Sequence, residues 1–302
     1  MCARSRFVFI GSRVATVYKL MTLSDIAELI LQQKVLFLTG AGISVGAGIP
    51  AYRTRAGEWA RSAPITDLEF RQSEAKRQRY WARSFVGWPL TSKAQPTLTH
   101  RLLGEWHRRG WAPHLITQNV DRLHQKAGFE AAIDIHGRLD RVYCLTCGAR
   151  MHRDHWQLKL AQVNPQLTGL KAEQLPDGDA DLPDAIIETV SVPNCPECQG
   201  VVMPEVVFFG GNIPKATSQR TRDLALQAEA ILVLGSSLKV YSGYRLCRNT
   251  VESGGALVIV NPGPTRADPL ATRRFSESAD AFLSRLDLEL MSKINTNKRG
   301  IQ

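Results

Sequence analysis

The sequence predicts an α/β protein: a Rossmann-like parallel sheet with helices on both faces, interrupted by a small inserted domain. Three observations predict it. Short apolar runs end abruptly in Gly, Ser, Asn or Asp, and each is followed by a longer stretch of helical character. Four of these run ends carry small and polar residues suited to a ligand. Between about 140 and 203 the rhythm breaks around two C-x-x-C pairs.

The 302 residues, 44% of them apolar and 22% charged, suit one large globular domain with a smaller satellite. Residues 1–24 read as a leader. Arg4, Arg6, Arg13 and Lys19 precede the first acid, Asp25, which is the composition of a transit peptide; a disordered leader, or a true start at Met21, fits as well. Residues 25–139 and 204–290 supply the sheet. Val35-Leu36-Phe37-Leu38 runs into Thr39-Gly40-Ala41-Gly42, and His114-Leu115-Ile116 into Thr117-Gln118-Asn119-Val120-Asp121. Ile231-Leu232-Val233-Leu234 runs into Gly235-Ser236-Ser237, and Leu257-Val258-Ile259-Val260 into Asn261-Pro262-Gly263. Ligands of open α/β sheets sit beyond the carboxyl ends of the strands, so these four loops are expected to converge on one site. The tail, 291–302, is polar enough to be flexible. No stretch approaches the roughly twenty apolar residues of a membrane-spanning helix.

The first loop, Gly40 to Gly48, is rich in glycine, which lets backbone approach a phosphate closely, and a helix N-terminus offers free N–H groups to it. A dinucleotide pyrophosphate fits there. The spacing G-x-G-x-x-x-G is one residue off the ordinary dinucleotide fingerprint, so a structural tight turn stays open on this loop alone. The other three loops favour the ligand.

Cys144, Cys147, Cys195 and Cys198 form the sequence C-x₂-C, 47 residues, C-x₂-C. Four thiolates suit one tetrahedral Zn²⁺, and with no coordination position left for water the metal is structural. The pattern belongs to a reducing compartment, such as the cytoplasm, rather than to a disulfide framework; the mitochondrial matrix is the alternative if the leader is a transit peptide. Asp177, Asp179, Asp181 and Glu188 mimic a calcium-loop register, but Leu182 stands where that loop needs glycine, so a solvated linker is expected. The net charge of +10 does not choose among acidic partners. Its densest run, Arg71 to Arg83, is broken by Gln72 and Glu74, reads as the solvated face of a helix, and argues for no specific nucleic-acid site.

The motifs GAGIS, GIPAYR (Gly48 to Arg53), TQNVDRLH (Thr117 to His124), Ile135-His136-Gly137, PEVVFFG (Pro204 to Gly210), GSSL (Gly235 to Leu238) and IVN (Ile259 to Asn261) follow one another in this order. In these the chain, from about 30 to 283, resembles the sirtuins. RQRYWARSFVGWP, VYSGYR and PGPTR look most like the class II, sirtuin-4-like branch. The resemblance implies an NAD-dependent protein lysine deacylase. Cleavage of NAD would yield nicotinamide, free lysine and O-acyl-ADP-ribose, with no hydride transfer.

By position, the resemblance implies that Gly40, Ala41, Gly42, Ile43, Gly48, Ile49, Pro50, Gly235, Ser236 and Ser237 hold the NAD phosphates and ribose, that Asn261 lies near the adenosine ribose, and that Gln118, Val120, Pro262, Gly263 and Ala279 also bind the cofactor. Ser44, Asn119 and Asp121 match the nicotinamide pocket, and Tyr52 and Arg53 the loop that closes over it. His136 is the expected general base, its ordinary pKa near 6.5 allowing a neutral imidazole at cellular pH. The histidines His100, His107, His114, His124, His152 and His155 are expected to be ordinary surface or core residues. Acyl-lysine proteins or peptides are the implied partners, sandwiched as an added strand by Val207, Phe208 and Phe209 on one side and Leu238 and Tyr241 on the other; a buried strand is the alternative for two of the first three. A monomer is expected.

Ala51 and Gly211 depart from the family's commonest pattern, which has acids there, and put efficient deacetylation in doubt more than NAD binding. Tyr80 and Arg83 have the Y-x-x-R spacing by which some sirtuins recognise acidic acyl groups, although such pairs arise readily by chance. Mono-ADP-ribosyl transfer, and removal of lipoyl or long acyl groups, are the enzymatic alternatives. An NAD-sensing binding module is the non-enzymatic one.

Overall fold

The computed structural model describes residues 21–51 and 64–299. In chain order its elements are α1 (Leu23–Leu31), β1 (Val35–Thr39), α2 (Asp67–Gln72), α3 (Glu74–Lys93), α4 (Leu98–Arg108), β2 (Leu115–Thr117), α5 (Leu123–Lys126), β3 (Ile133–Asp134) and β4 (Gly137–Cys144). There follow β5 (Arg150–His152), α6 (Arg153–Val163), β6 (Gln174–Leu175), β7 (Asp179–Ala180), α7 (Asp184–Ile187), β8 (Val202–Val206), α8 (Lys215–Gln227), β9 (Ala230–Leu234), α9 (Tyr241–Glu252), β10 (Ala256–Val260), β11 (Arg273–Phe275) and α10 (Ala279–Arg299).

The main sheet has six strands in the order β11-β10-β9-β1-β2-β3, and every pair in it is parallel. Strands β1, β9 and β10 are buried at all five positions, as expected of a parallel sheet covered on both faces. Alternation assigns the faces. Val35, Phe37, Leu232 and Val258 pack with Ile26 and Ile30 of α1, Trp106 of α4 and Phe282, Leu286 and Leu290 of α10. Leu36, Leu38, Ile231, Val233 and Ile259 pack on the other face with Ala225 of α8 and Leu246 and Cys247 of α9. The chain works outward from β1 through β2 and β3, and later outward from β9 through β10 and β11. The topological switch point therefore lies between β1 and β9, the place at whose carboxyl ends open α/β sheets bind ligands.

A three-stranded antiparallel sheet, β5-β4-β8, builds the small lobe. Its boundaries differ from those expected. Residue 140 falls inside β4 and residue 203 inside β8, because these strands run continuously from the main domain into the lobe. The lobe also takes in α3, whose Trp81, Ala82, Phe85 and Val86 are buried with Trp156 and Leu160 of α6 and Ile187 of α7. The basic run is thus one side of a helix whose other side is core: Arg79 pairs with Asp184, while Trp81 is fully buried.

Both chain-end expectations need correction. Met21 is buried, and Thr22 caps α1 in a reciprocal pairing with Asp25, so residues 21–24 belong to the fold. Helix α10 continues through Arg299, across most of the segment expected as a flexible tail, because Leu290 anchors it in the core and helical pairing carries the polar turns beyond. Residues 1–20 of the leader lie outside the described residues, and no helix among those described is long and apolar enough to cross a membrane.

Candidate active site and metal centre

The loops after β1 and β9 are locked together at the switch point. Gly40 N donates to Leu234 O (3.1 Å) and Gly42 N to Gly235 O (2.9 Å). A Cβ on Gly42 would stand 2.7 Å from the Gly235 oxygen, and Gly235 has φ +62°, so this contact requires glycine on both sides. Gly235 N in turn donates to Val260 O, tying in the end of β10. Behind the first loop, the Thr97 hydroxyl before α4 donates to Ile43 O at 3.1 Å. Ala279, the first residue of α10, is buried with Ile43 in one apolar cluster. Ile49 is held by Ala94 and Leu123. Tyr52 and Arg53 lie outside the described residues.

Ser44, Asn119 and Asp121 come together as a directed chain. The Asn119 side-chain amide donates to Ser44 Oγ (3.1 Å) and Gly40 O (3.2 Å), and Ser44 donates to Asp121 Oδ2 (2.7 Å). The other Asp121 oxygen accepts from Leu123 N at 2.9 Å, fixing the carboxylate. The turn is completed by Arg122, whose left-handed backbone (φ +65°) is held by an ion pair with Asp134. Gln118 reaches across the crevice, its side-chain amide donating to Ser236 Oγ at 2.8 Å. Ser236 Oγ also accepts from Leu238 N, stabilising the left-handed Leu238 (φ +54°).

His136 follows β3 at the mouth of this crevice. Its Nδ1 lies 2.9 Å from Gln118 O and its Nε2 2.7 Å from the Ser242 hydroxyl. Burial lowers its pKa below the ordinary histidine value, against a smaller raising effect of the Gln118 carbonyl. Val207 N donates to His136 O at 2.7 Å, which brings the expected substrate wall to the base.

That wall is only partly free for substrate. Val207 and Phe209 are half-buried, but Phe208 packs its ring 5.0 Å from Phe70 and 5.3 Å from Tyr80 and belongs to the small-lobe core. Opposite it, Tyr241 is exposed, whereas the Leu238 side chain is buried under the sheet and leaves only its backbone to a ligand. The Tyr80/Arg83 pair does not form an acid clamp: Arg83 is ion-paired with Asp179 at 2.7 Å and donates to Ala180 O, while Tyr80 is packed against Phe70, Trp81 and Phe208.

Three contributors had no sequence signal. Arg274 of β11 donates to Gly263 O at 2.6 Å, beneath the turn that Asn261 closes through its own bond to Gly263 O. Asp67 stands beside Gly211, its Cβ 3.4 Å from where a side chain there would begin, so a carboxylate is present where the local motif lacks one. The third is Ser242. Behind the pocket, His100 and His124 are core residues with ring centroids 4.7 Å apart and planes tilted by 55°, His124 bonded to Thr39 and His100 to Thr97. Burial forces both downward, His100 to about 4.

The four cysteines converge at one end of the small lobe. Their Sγ atoms all lie within 4.8 Å of one another, with Cys144 to Cys198 at 3.5 Å and Cys147 to Cys195 at 3.8 Å. Zinc–sulfur bonds of about 2.3 Å in a tetrahedron put sulfurs ~3.8 Å apart, so the set fits one Zn²⁺. The two halves fold alike: Gly148 N donates to Cys144 O and Gln199 N to Cys195 O, each through a residue in the left-handed region. Cys144 and Cys195 are buried and Cys147 and Cys198 exposed, which attaches the metal centre to the lobe core.

Residues 40–242 match the model of the Sir2 family. The chain is 48% identical over 263 residues to an NAD-dependent protein deacetylase of Xanthomonas axonopodis pv. citri, covering 87% of this chain and 89% of that protein. Among solved structures it is similar to Sir2Tm bound to a propionylated peptide, at 29% identity and TM-score 0.69, over 89% of this chain and 98% of that one. It is also similar to a Sir2 protein with a p53 peptide and NAD+, at 29% identity and TM-score 0.67, over 93% and 100% of the two chains.

Proposed function

Because this chain belongs to the Sir2 family, we propose that His136 is the general base of an NAD-dependent protein deacetylase, with Ser44, Asn119 and Asp121 as its nicotinamide pocket. The activity itself is that of the family: the chain is an NAD-dependent protein deacetylase that uses NAD+ as co-substrate and carries a four-cysteine site fit for one structural zinc. The observation that supports the residue assignment is the convergence of the Asn119–Ser44–Asp121 chain and His136 on one crevice at the sheet's switch point.

NAD+, when bound, would supply a ribose whose C1′ bonds to the acyl oxygen of the substrate lysine as its bond to nicotinamide breaks and nicotinamide leaves. The glycine-locked loops Gly40–Gly48 and Gly235–Ser237 hold the phosphates, and the Asn261–Gly263 turn, braced by Arg274, flanks the adenosine end. The Ser44 hydroxyl and Leu123 N–H that Asp121 accepts fix the direction of its carboxylate, which is thereby oriented to take a carboxamide N–H of the departing ring. Neutral His136 takes the proton of a ribose hydroxyl at Nε2. Acyl-lysine peptide lies between residues 207–209 and 238–241, with Val207, Phe209 and Tyr241 making side-chain contacts and Leu238 only backbone ones.

Within the family, VYSGYR and PGPTR support the class II, sirtuin-4-like branch, and the commitment of Arg83 to Asp179 weighs against acidic acyl groups. We take the enzyme to be a cytoplasmic monomer, its thiolate site suited to a reducing setting. We expect no specific nucleic-acid site along the basic run, where Arg71, Arg79 and Arg83 are paired with Asp67, Asp184 and Asp179.

The test is mass spectrometry of products from NAD+ and a panel of acetyl-, succinyl-, lipoyl- and long-acyl-lysine peptides, with His136→Ala beside the native chain. O-acyl-ADP-ribose is expected, falling about 10²–10⁴-fold in the variant. Labelled protein without acyl-ADP-ribose would turn the reading to ADP-ribosyl transfer.

A further inference from the structure

We infer that Ser242 is a positioning residue for deacylation: its hydroxyl donates to His136 Nε2 and holds the imidazole as the neutral Nδ1–H tautomer until a ribose hydroxyl takes the serine's place. The inference rests on His136 being the base.

The tautomer follows from the partners. Gln118 O is a carbonyl and only accepts, so the Nδ1 atom 2.9 Å away carries the proton. In the neutral ring Nε2 then has the lone pair, and the Ser242 hydroxyl, 2.7 Å away, is the donor to it. The imidazole is pinned at both nitrogens by different elements, the loop after β2 and the first turn of α9. Its basic nitrogen thereby lies beside Tyr241 and the expected peptide path.

Gly243, the residue after Ser242, leaves room for the Gln118 side chain. A Cβ there would meet Gln118 Oε1 at 2.6 Å and Cδ at 2.9 Å, so a larger residue would displace the Gln118 side chain packed against the first turn of α9. Helix α9 is 12 residues long, and Ser242 stands in its first turn. The partial positive end of the helix opposes protonation of the neighbouring ring, in the same direction as burial.

Charged and titratable groups on the surrounding elements are accounted for among the described residues. Asp134, Arg138 and Asp140 flank His136 in sequence, Asp121 and Arg122 lie on the loop after β2, and Glu205 on β8. Lys239, Tyr241, Tyr244 and Arg266 surround the start of α9. Arg122 pairs with Asp134 and Asp140, Arg138 with Asp140 and Arg150 with Glu205, while Arg266 stacks on both tyrosines. None is among the causes of the His136 shift, which are burial and the Gln118 carbonyl alone.

A donor to Nε2 stabilises the neutral ring, so removing it raises the histidine pKa. The experiment titrates the His136 ring signals by NMR in the zinc-loaded full chain, histidine-labelled and assigned with His136→Ala, for the native protein, Ser242→Ala and Ser242→Thr. The midpoint is expected to rise by about 0.5–1 pH unit in Ser242→Ala and to return in Ser242→Thr. The acid limb of kcat/KM should move with it, so that the alanine variant loses more activity at pH 6 than at pH 8. A midpoint that stays put or falls overturns the inference, even if the rate drops. Full deacylation by His136→Ala would instead overturn the assignment of the base.

Discussion

The neighbouring histidines His100 and His124 show what a single buried side chain imposes on the protein. Both rings are fully enclosed, His100 Nε2 and His124 Nδ1 have no protein hydrogen-bond partner, and burial holds His100 at about 4 and His124 well below its ordinary value. Unfolded histidine titrates near 6.5, so below that pH the unfolded chain binds protons that the native chain refuses. Stability is therefore full above about pH 7 and declines as the pH falls from 6.5 toward 4. At pH 5 the His100 contribution is on the order of 2 kcal/mol. Urea melts at pH 8 and pH 5 should show the loss, and His100→Gln should flatten it; equal midpoints for the native chain at the two pH values would show that these rings are not held neutral. At this scale the sequence was legible where a residue's placement is carried by its immediate neighbours, as for Asn119, Asp121 and His136, which their motifs bring to the strand ends. It was silent where the role depends on a distant partner. Ser242 lies 106 positions from His136, and Arg274 matters only through a turn on the neighbouring strand.

The zinc-binding element is coupled to helix α3, which the sequence reading had assigned to the main domain. Cys144 and Cys195 share a core with Trp81 and Trp156, and the same core includes Phe208 at the edge of the proposed substrate wall. Stripping the metal with a chelator is therefore expected to loosen α3 and the wall together. Tryptophan fluorescence should shift to the red and deacylation should be lost, with NAD+ binding by the main sheet largely kept, and added Zn²⁺ should restore both signals. Unchanged fluorescence and activity in a metal-free chain would refute the coupling. The Cys spacing disclosed the ligands because four thiolates have few other uses. It could not disclose α3, whose alternation of Arg77, Arg79 and Arg83 with Trp81 and Phe85 reads equally well as a surface helix until its partner helix α6 is known.

Across the whole molecule, the first and last described helices close one face of the sheet. Ile26 and Ile30 of α1 meet Phe282, Leu283, Leu286 and Leu290 of α10, all fully or almost fully buried. Truncation before α10 would uncover that apolar face, and a chain ending at residue 278 is expected in the insoluble fraction. One ending at 299 should match the full chain in thermal midpoint. A soluble, active product ending at 278 would remove α10 from the core. The parallel sheet itself was readable from its strand-end loops, but the reach of α10 was not, since its final turns carry no apolar stripe of their own.

Strand β1 finds one neighbour in β2, at residues 115–117, and the other only in β9, at residues 230–234. During synthesis its second edge must wait while the entire small lobe is made. The lobe's four cysteines are complete before that edge is covered, so metal capture can precede closure of the crevice, but the crevice cannot precede the C-terminal third of the protein. A nascent chain of this enzyme is thus idle toward NAD+ until β9 has been made, and its exposed strand is work for a chaperone in the interval.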